Sequence, residues 1–269
     1  GTLARNYLTK RKVQAAEIQQ FGLGYSPSTG NELMRAMEHE GVSTQQLLAT
    51  GLVTQDERGQ IREMFRGRLM FAIRNVGGEI VGFAGRSLDD SPPKYINSPQ
   101  TDLFDKGKLL YGLDLAKDML ANEGMAVIVE GYMDVITAHK YGYRNVIASM
   151  GTSLTESQVN LLKQRAKIII LALDPDNAGQ EATLRSLEDS WKVFGKSGMG
   201  QKGAMTLFQA PSVLDTLRIA LLPEGKDPDT LINEDPMAWY KLIHSAVPVI
   251  DYLFDVLPAR NPTTGSQEK

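Results

Sequence analysis

The stretches AVIVEGYMD at residues 126–134 and IIILALDPDNAG at residues 168–179 decide the fold of this chain. Each begins as an apolar run rich in Ile, Val and Leu and then reaches acidic residues, a pattern typical of buried parallel strands. Functional groups of an open parallel sheet gather where its strands end. If the two strands are neighbours, Glu130, Asp174 and Asp176 converge at one edge. The two aspartates lie two residues apart, which points both side chains the same way in extended chain.

Three converging carboxylates predict a site for divalent cations. Clustered carboxylates repel one another unless a hard cation neutralises them, and Mg²⁺ prefers oxygen ligands completed by water and phosphate. A carboxylate cluster of this kind is typical of a phosphoryl-transfer site. The alternative for any single residue is simpler, because Asp174, Asp176 or Asn177 could cap the helix predicted by AGQEATLRSLEDSW at 178–191. The combination of two acidic strand ends favours the metal site.

The residues between the two strands predict a connected α/β unit. MGTSLTESQVNLLKQR at 150–165 supplies a crossover helix, opened by a capping-box pattern around Ser153 and Thr155. LDLAKDMLANEG predicts a helix that ends at Gly124, directly before the strand predicted at AVIVE. Upstream, RLMFAIRN and EIVGFAGR flank a double-glycine turn, which predicts a β-hairpin over residues 68–86.

Longer motifs give these elements a family resemblance. EGYMD followed by DPDNAG resembles the Toprim metal-binding core. The runs RGRLMFAIRNVGGEIVGFAGR (66–86), PKYINSPQTDLFDKGKLLYGL (93–113) and GKDPDTLI (225–232) resemble the RNA polymerase core of DnaG-type bacterial DNA primases. Several long motifs in the right order are far more specific than a lone short pattern.

The resemblance implies an α/β fold in three parts. An α+β N-terminal basic subdomain would occupy residues 1–112, and a Toprim-type α/β subdomain with a largely parallel sheet would occupy 113–236. Residues 237–269 would begin a helical subdomain. A segment rich in Gly and Lys at about 195–212 interrupts the Toprim pattern, and we interpret it as a surface insertion.

The resemblance also assigns the acidic residues. Glu130, Asp174 and Asp176 match the catalytic metal ligands, with ligation the preferred role for Glu130 over proton acceptance. The expected cofactor is Mg²⁺ or Mn²⁺, with two ions in the active complex. Secondary acids would bind directly or through water; these are Asp134, Asp227 and Asp229. The alternative for Asp227 and Asp229 is helix capping before TLINED.

A second set of residues would contact nucleotide phosphates, sugar or template. Such contacts suit Arg and Lys because phosphate binding dominates affinity without requiring base identity. Without the resemblance, arginines spaced along strands would be interpreted as a solvated face. The set implied by the family is Arg68, Arg86, Lys94, Asn97 and Lys106.

The function implied is synthesis of short RNA primers on single-stranded DNA from ribonucleoside triphosphates. The alternatives are another Toprim enzyme, a nuclease or topoisomerase, or a non-catalytic module that binds nucleotides or DNA. The resemblance further implies a monomeric catalytic fragment of a cytoplasmic bacterial protein at the replication fork. Zinc-binding and helicase-binding domains are expected outside it.

Composition is compatible with this assignment. The chain has 269 residues, a net charge of −3 and no cysteine, which excludes disulfides and thiolate metal ligands. Charge is unevenly distributed, because residues 58–112 carry nine Lys and Arg against six Asp and Glu. A weakly basic part beside an acidic part fits phosphate and cation binding, with modest, salt-sensitive DNA affinity. No apolar run approaches the roughly 20 residues of a membrane span.

Overall fold

The computed structural model describes residues 1–89, 91–151, 154–173, 216–252 and 254. Asp174, Asp176 and the glycine-rich segment 195–212 lie outside the described residues, and so does the end of the predicted helical subdomain. The helices are α1 Thr2–Lys10, α2 Ala15–Phe21, α3 Glu32–His39, α4 Thr44–Ala49, α5 Leu113–Glu123, α6 Tyr132–Lys140, α7 Glu156–Lys163, α8 Pro228–Glu234 and α9 Pro236–His244.

The strands form three sheets within the described chain. The strands are β1 Leu23–Ser26, β2 Val53–Gln55, β3 Ile61–Glu63, β4 Arg68–Arg74, β5 Ile80–Ser87, β6 Tyr95–Asn97, β7 Met125–Val129, β8 Val146–Ala148, β9 Ile168–Leu173, β10 Leu217–Leu221 and β11 Val247–Pro248. Their orders are β1-β4-β5-β6, β11-β10-β9-β7-β8 and β2-β3.

The five-stranded sheet confirms the predicted α/β class. Strands β8, β7, β9 and β10 are all parallel, and β11 adds an antiparallel edge. The two strands that begin the acidic motifs are direct neighbours, with Ile128 paired to Leu171. Helix α7 begins as predicted, since Thr155 caps it and exchanges capping-box bonds with Gln158. Helix α5 ends at Gly124, whose positive φ of 67° suits glycine.

The predicted hairpin is present as β4 and β5 in the antiparallel four-stranded sheet. Aromatic rings pack this sheet against α6, the helix that connects strands β7 and β8 of the five-stranded sheet. Phe71 of β4 stacks on Tyr132 of α6 with 5.0 Å between ring centroids, and Tyr111 meets Tyr132 edge-on at 4.8 Å. One buried core cluster therefore contains residues from both sides of position 112. The boundaries at 112 and 236 stay predictions.

Two segments differ from the sequence prediction. The turn-rich, proline-containing run SLDDSPPKYINSPQTDLFDKGK at 87–108 predicts a surface loop, yet the structure has strand β6 and a 3₁₀ helix at Lys106–Lys108 there. The run WYKLIHSAVPVIDYLFDVL at 239–257 predicts helix, and the structure has helix α9 as far as His244 but then strand β11 at Val247–Pro248. None of the helices in the described ranges has the length and apolar composition needed to cross a bilayer.

Candidate active site

A cavity of about 290 Å³ opens at the carboxyl ends of the parallel strands. Glu130, the residue after β7, lines it together with Ala172 near the end of β9. Glu130 is exposed. The cavity therefore lies where an open α/β sheet places its functional groups, at the edge predicted from the two acidic motifs.

Asp134, in the first turn of α6, lines this cavity. Its carboxylate accepts hydrogen bonds from the backbone N–H of Gly131 at 3.0 Å and of Asp229 at 3.1 Å. The side chain is buried, with 9% exposure. Burial, followed by the negative charges of Asp227 and Asp229, raises the pKa of Asp134 to about 7.

The two aspartates of the GKDPD turn have different roles in the structure. Asp227 caps α8 by accepting the backbone N–H of Thr230 at 2.7 Å, which is the capping alternative weighed from sequence, although it also lines the cavity. Asp229 is 2% exposed and does not cap the helix. It accepts the Thr137 hydroxyl at 2.5 Å and the Asn233 amide at 2.9 Å.

Arg11 brings a positive charge to the same cavity. Its guanidinium forms an ion pair with Asp229, joining the end of α1 to α8 across 218 residues of sequence. Arg11 also lines the cavity. The sequence predicts no role for Arg11, because nothing in LTKRKV distinguishes one basic residue of a helix end from the next.

The N-terminal sheet supplies a basic wall through Arg86 and Lys94. Arg86 is 9% exposed and donates to the Tyr95 hydroxyl at 2.8 Å. The guanidinium lies over the Tyr7 ring at 4.6 Å and the Tyr95 ring at 5.3 Å. Its Nε is buried and has no hydrogen-bond partner among the described residues. Lys94 is exposed and lines the cavity.

The other three predicted contact residues are not among those that line the cavity. Arg68 donates through Nη1 to the carbonyls of Gly85 at 3.2 Å and Pro93 at 3.0 Å. Asn97 accepts the Tyr132 hydroxyl at 2.5 Å, which links β6 to α6. Burial lowers the pKa of Lys106, which lies on the 3₁₀ helix.

The cavity offers donors that suit a hard divalent cation. Glu130, Asp134, Asp227 and Asp229 present carboxylate oxygens, the ligands that Mg²⁺ prefers. Burial is the main cause of the raised pKa of Asp134, and the repulsion from Asp227 and Asp229 that adds to it is the kind that a bound cation relieves. Within the described ranges, no three or more His, Cys, Asp or Glu side chains are grouped closely enough to hold a metal. Asp174 and Asp176 fall outside those ranges.

Comparison with known proteins assigns this chain to a family. The model for the DNA primase catalytic core, N-terminal domain, matches residues 1–117, and the Toprim domain model matches residues 124–204. The structure of the DnaG primase catalytic domain bound to ssDNA is similar with a TM-score of 0.79 and 33% identity. The similarity covers 96% of this chain and 78% of that one. The chain belongs to the DnaG-type bacterial DNA primase family.

Two other primases give the same result. The RNA polymerase domain of Mycobacterium tuberculosis primase DnaG is similar with a TM-score of 0.81 and 31% identity, over 96% of this chain and 80% of that one. The DNA primase of Deinococcus radiodurans is 43% identical over 235 residues, 86% of this chain and 38% of that protein. The chain thus spans well under half the length of that primase. Toprim domains and primases generally depend on metal ions.

Proposed function

We propose that this chain is the catalytic core of a DNA-directed RNA polymerase that makes short RNA primers on single-stranded DNA. The observation that carries the proposal is the cavity in which an acidic sheet edge faces a basic wall from the N-terminal sheet. Family membership supports it, because a related catalytic domain has been solved bound to ssDNA. The substrates would be ribonucleoside triphosphates, joined by nucleotidyl transfer.

Glu130, Asp174 and Asp176 would hold the divalent cations, with Asp134, Asp227 and Asp229 as secondary ligands. Two ions, Mg²⁺ or Mn²⁺, would lower the pKa of the primer 3′-hydroxyl and neutralise charge on the leaving pyrophosphate. Asp134 is held by two backbone N–H groups, so its carboxylate is fixed in direction before any cation arrives. Such preorganisation limits reorganisation during the reaction.

Arg86 and Lys94 would bind the triphosphate. The rings of Tyr7 and Tyr95 and the hydroxyl of Tyr95 restrict the Arg86 guanidinium to one orientation, which suits bidentate phosphate binding. Lys94 adds a mobile point charge from the exposed side of the wall. Asn97 and Lys106 would serve binding of the nucleotide sugar or the template further from the reacting atoms.

The wider context belongs to the whole primase. We expect the template, the growing RNA primer and nucleoside triphosphates as partners of this core. The replicative helicase would bind through another domain, in the bacterial cytoplasm at the nucleoid. The core itself would act as a monomer.

The test is synthesis by the purified chain. With a single-stranded DNA template, radiolabelled ribonucleoside triphosphates and MgCl₂ or MnCl₂, we expect short products that depend on template and metal and are removed by ribonuclease. Nicking or relaxation of supercoiled plasmid without RNA synthesis would favour a Toprim nuclease or topoisomerase instead. Nucleotide binding with no product under any metal would favour a binding module.

A further inference from the structure

Arg68 contacts the peptide group that immediately precedes Lys94. Arg68 is the first residue of β4 and pairs with Ser87 at the end of β5. Its side chain extends past β5 toward the segment that contains Pro93. There Nη1 donates to the carbonyls of Gly85 at 3.2 Å and Pro93 at 3.0 Å. The Pro93 carbonyl belongs to the peptide bond that joins Pro93 to Lys94.

The peptide group on the other side of Lys94 is also held. The Lys94 carbonyl accepts the backbone N–H of Ser87 at 2.9 Å. Both peptide groups that flank the Lys94 Cα are therefore bonded to the end of the β4–β5 hairpin. This matters because lysine has a long flexible stem, so the position of its Cα decides which volume its ammonium can reach.

The path of the Arg68 side chain depends on a glycine. A Cβ at Gly85 would lie 2.9 Å from Cδ of Arg68 and 2.8 Å from Cδ1 of Phe65, closer than real Cβ contacts allow. Glycine at position 85 thus leaves the space through which Arg68 reaches Pro93. Asp89 adds a negative charge near the guanidinium and is itself bonded to the hydroxyl of Ser87 at 2.6 Å.

We propose that Arg68 is a positioning residue, which fixes the peptide before Lys94 so that the Lys94 ammonium reaches phosphate in the cavity. This differs from direct contact between Arg68 and the nucleotide. Lys94 lines the cavity and Arg68 is not among the residues that do. The inference rests on the proposed function in one respect only, namely that Lys94 binds a nucleotide phosphate.

A double-mutant cycle on nucleotide binding separates the two roles. The probe is ATP with MgCl₂, titrated against wild type, Arg68→Met, Lys94→Ala and the double variant. We expect Lys94→Ala to weaken binding about tenfold, as for loss of a charge-assisted hydrogen bond, and Arg68→Met to weaken it about threefold or more. In the Lys94→Ala background, Arg68→Met should add nothing, because its effect acts through Lys94. Additive losses would mean that Arg68 contacts the nucleotide and would overturn the proposal.

Hydrogen exchange gives a second test that needs no nucleotide. The Ser87 amide bonded to Lys94 should exchange faster in Arg68→Met than in wild type, while amides of the five-stranded sheet stay unchanged. Arg62→Met is the matched control, since Arg62 is an exposed arginine of β3 that pairs with Asp56. Unchanged protection at Ser87 in Arg68→Met would overturn the proposal. If Arg68→Met does not fold, Arg68→Lys replaces it in both tests.

Failure of the inference and failure of the proposed function have different signatures. If the chain binds ATP but makes no RNA, the proposed primase function is rejected, and the double-mutant cycle on ATP binding can still be interpreted. If Lys94→Ala binds ATP as wild type does, Lys94 is not a phosphate ligand and the inference falls, whatever the synthesis assay gives. RNA synthesis with additive Arg68 and Lys94 losses retains the function and rejects only the positioning role.

Discussion

At the scale of the residue, the ion pair between Arg11 and Asp229 shows what sequence alone cannot supply. Asp229 belongs to a recognisable acidic turn, and its presence at the cavity was anticipated. Its partner comes from the first helix of the chain, and no local pattern connects the two. Only the folded structure, in which the ion pair joins the end of α1 to α8, identifies Arg11 as part of the site.

We expect Arg11→Met to destabilise the fold by about 1–3 kcal/mol, because Asp229 would remain buried without its cation. The hydrogen bonds from Thr137 and Asn233 limit the loss. Urea unfolding at neutral pH measures it, with Lys10→Met as the control, a neighbouring basic residue at the exposed end of α1. Equal midpoints for Arg11→Met and Lys10→Met would contradict a structural role for the ion pair.

At the scale of the element, short sequence patterns predict the helices and strands whose formation depends on interactions between residues close in the chain. The hairpin of β4 and β5, the capped start of α7 and the end of α5 at Gly124 were all read from short patterns. Strand β6 was missed because only three residues pair, and their pairing partner is β5 rather than anything in the loop itself. Strand β11 was missed for the same reason, since β10 supplies its two pairs.

Helix α6 contains a titratable side chain, His139, that is buried in the folded protein. His139 is 5% exposed, and its Nε2 bonds to the Val146 carbonyl at 2.8 Å. Its ring also meets Phe21 edge-on, with 5.4 Å between centroids. Burial is the main cause that lowers the pKa of His139 to about 4, so the folded protein keeps this ring neutral at ordinary pH.

This lowered pKa predicts that acid weakens the folded state. Between about pH 6.5 and pH 4 the unfolded chain binds a proton at His139 and the folded chain does not, so stability is full above this window and falls as pH decreases through it. The loss from this group is about 2 kcal/mol between roughly pH 8 and pH 5. We expect the stability advantage of wild type over His139→Gln to shrink by this amount in urea unfolding. His39→Gln, at an exposed histidine, should show no such change, and a constant gap for His139→Gln would contradict the prediction.

At the scale of the whole molecule, the N-terminal sheet, which supplies Arg86, and the five-stranded sheet, at whose edge Glu130 lies, meet around one aromatic core. Stacking of Phe71 on Tyr132 brings the N-terminal sheet against α6, and α6 begins beside Glu130. Sequence predicted both halves and their charge, because the motifs that define them are long. It did not predict their interface, since rings from distant segments form it. The convergence of Glu130 with Asp174 and Asp176 stays a prediction.

The central claim is that the acidic sheet edge is the catalytic centre for nucleotidyl transfer. Template-dependent RNA synthesis by Glu130→Gln, compared with wild type and with Glu123→Gln, tests it most directly. Glu123 precedes the other end of β7, so its variant makes the same chemical change away from the cavity. We predict at least about a hundredfold loss in Glu130→Gln with an unchanged melting temperature, and near wild-type synthesis in Glu123→Gln. Synthesis by Glu130→Gln within a few-fold of wild type would contradict the account.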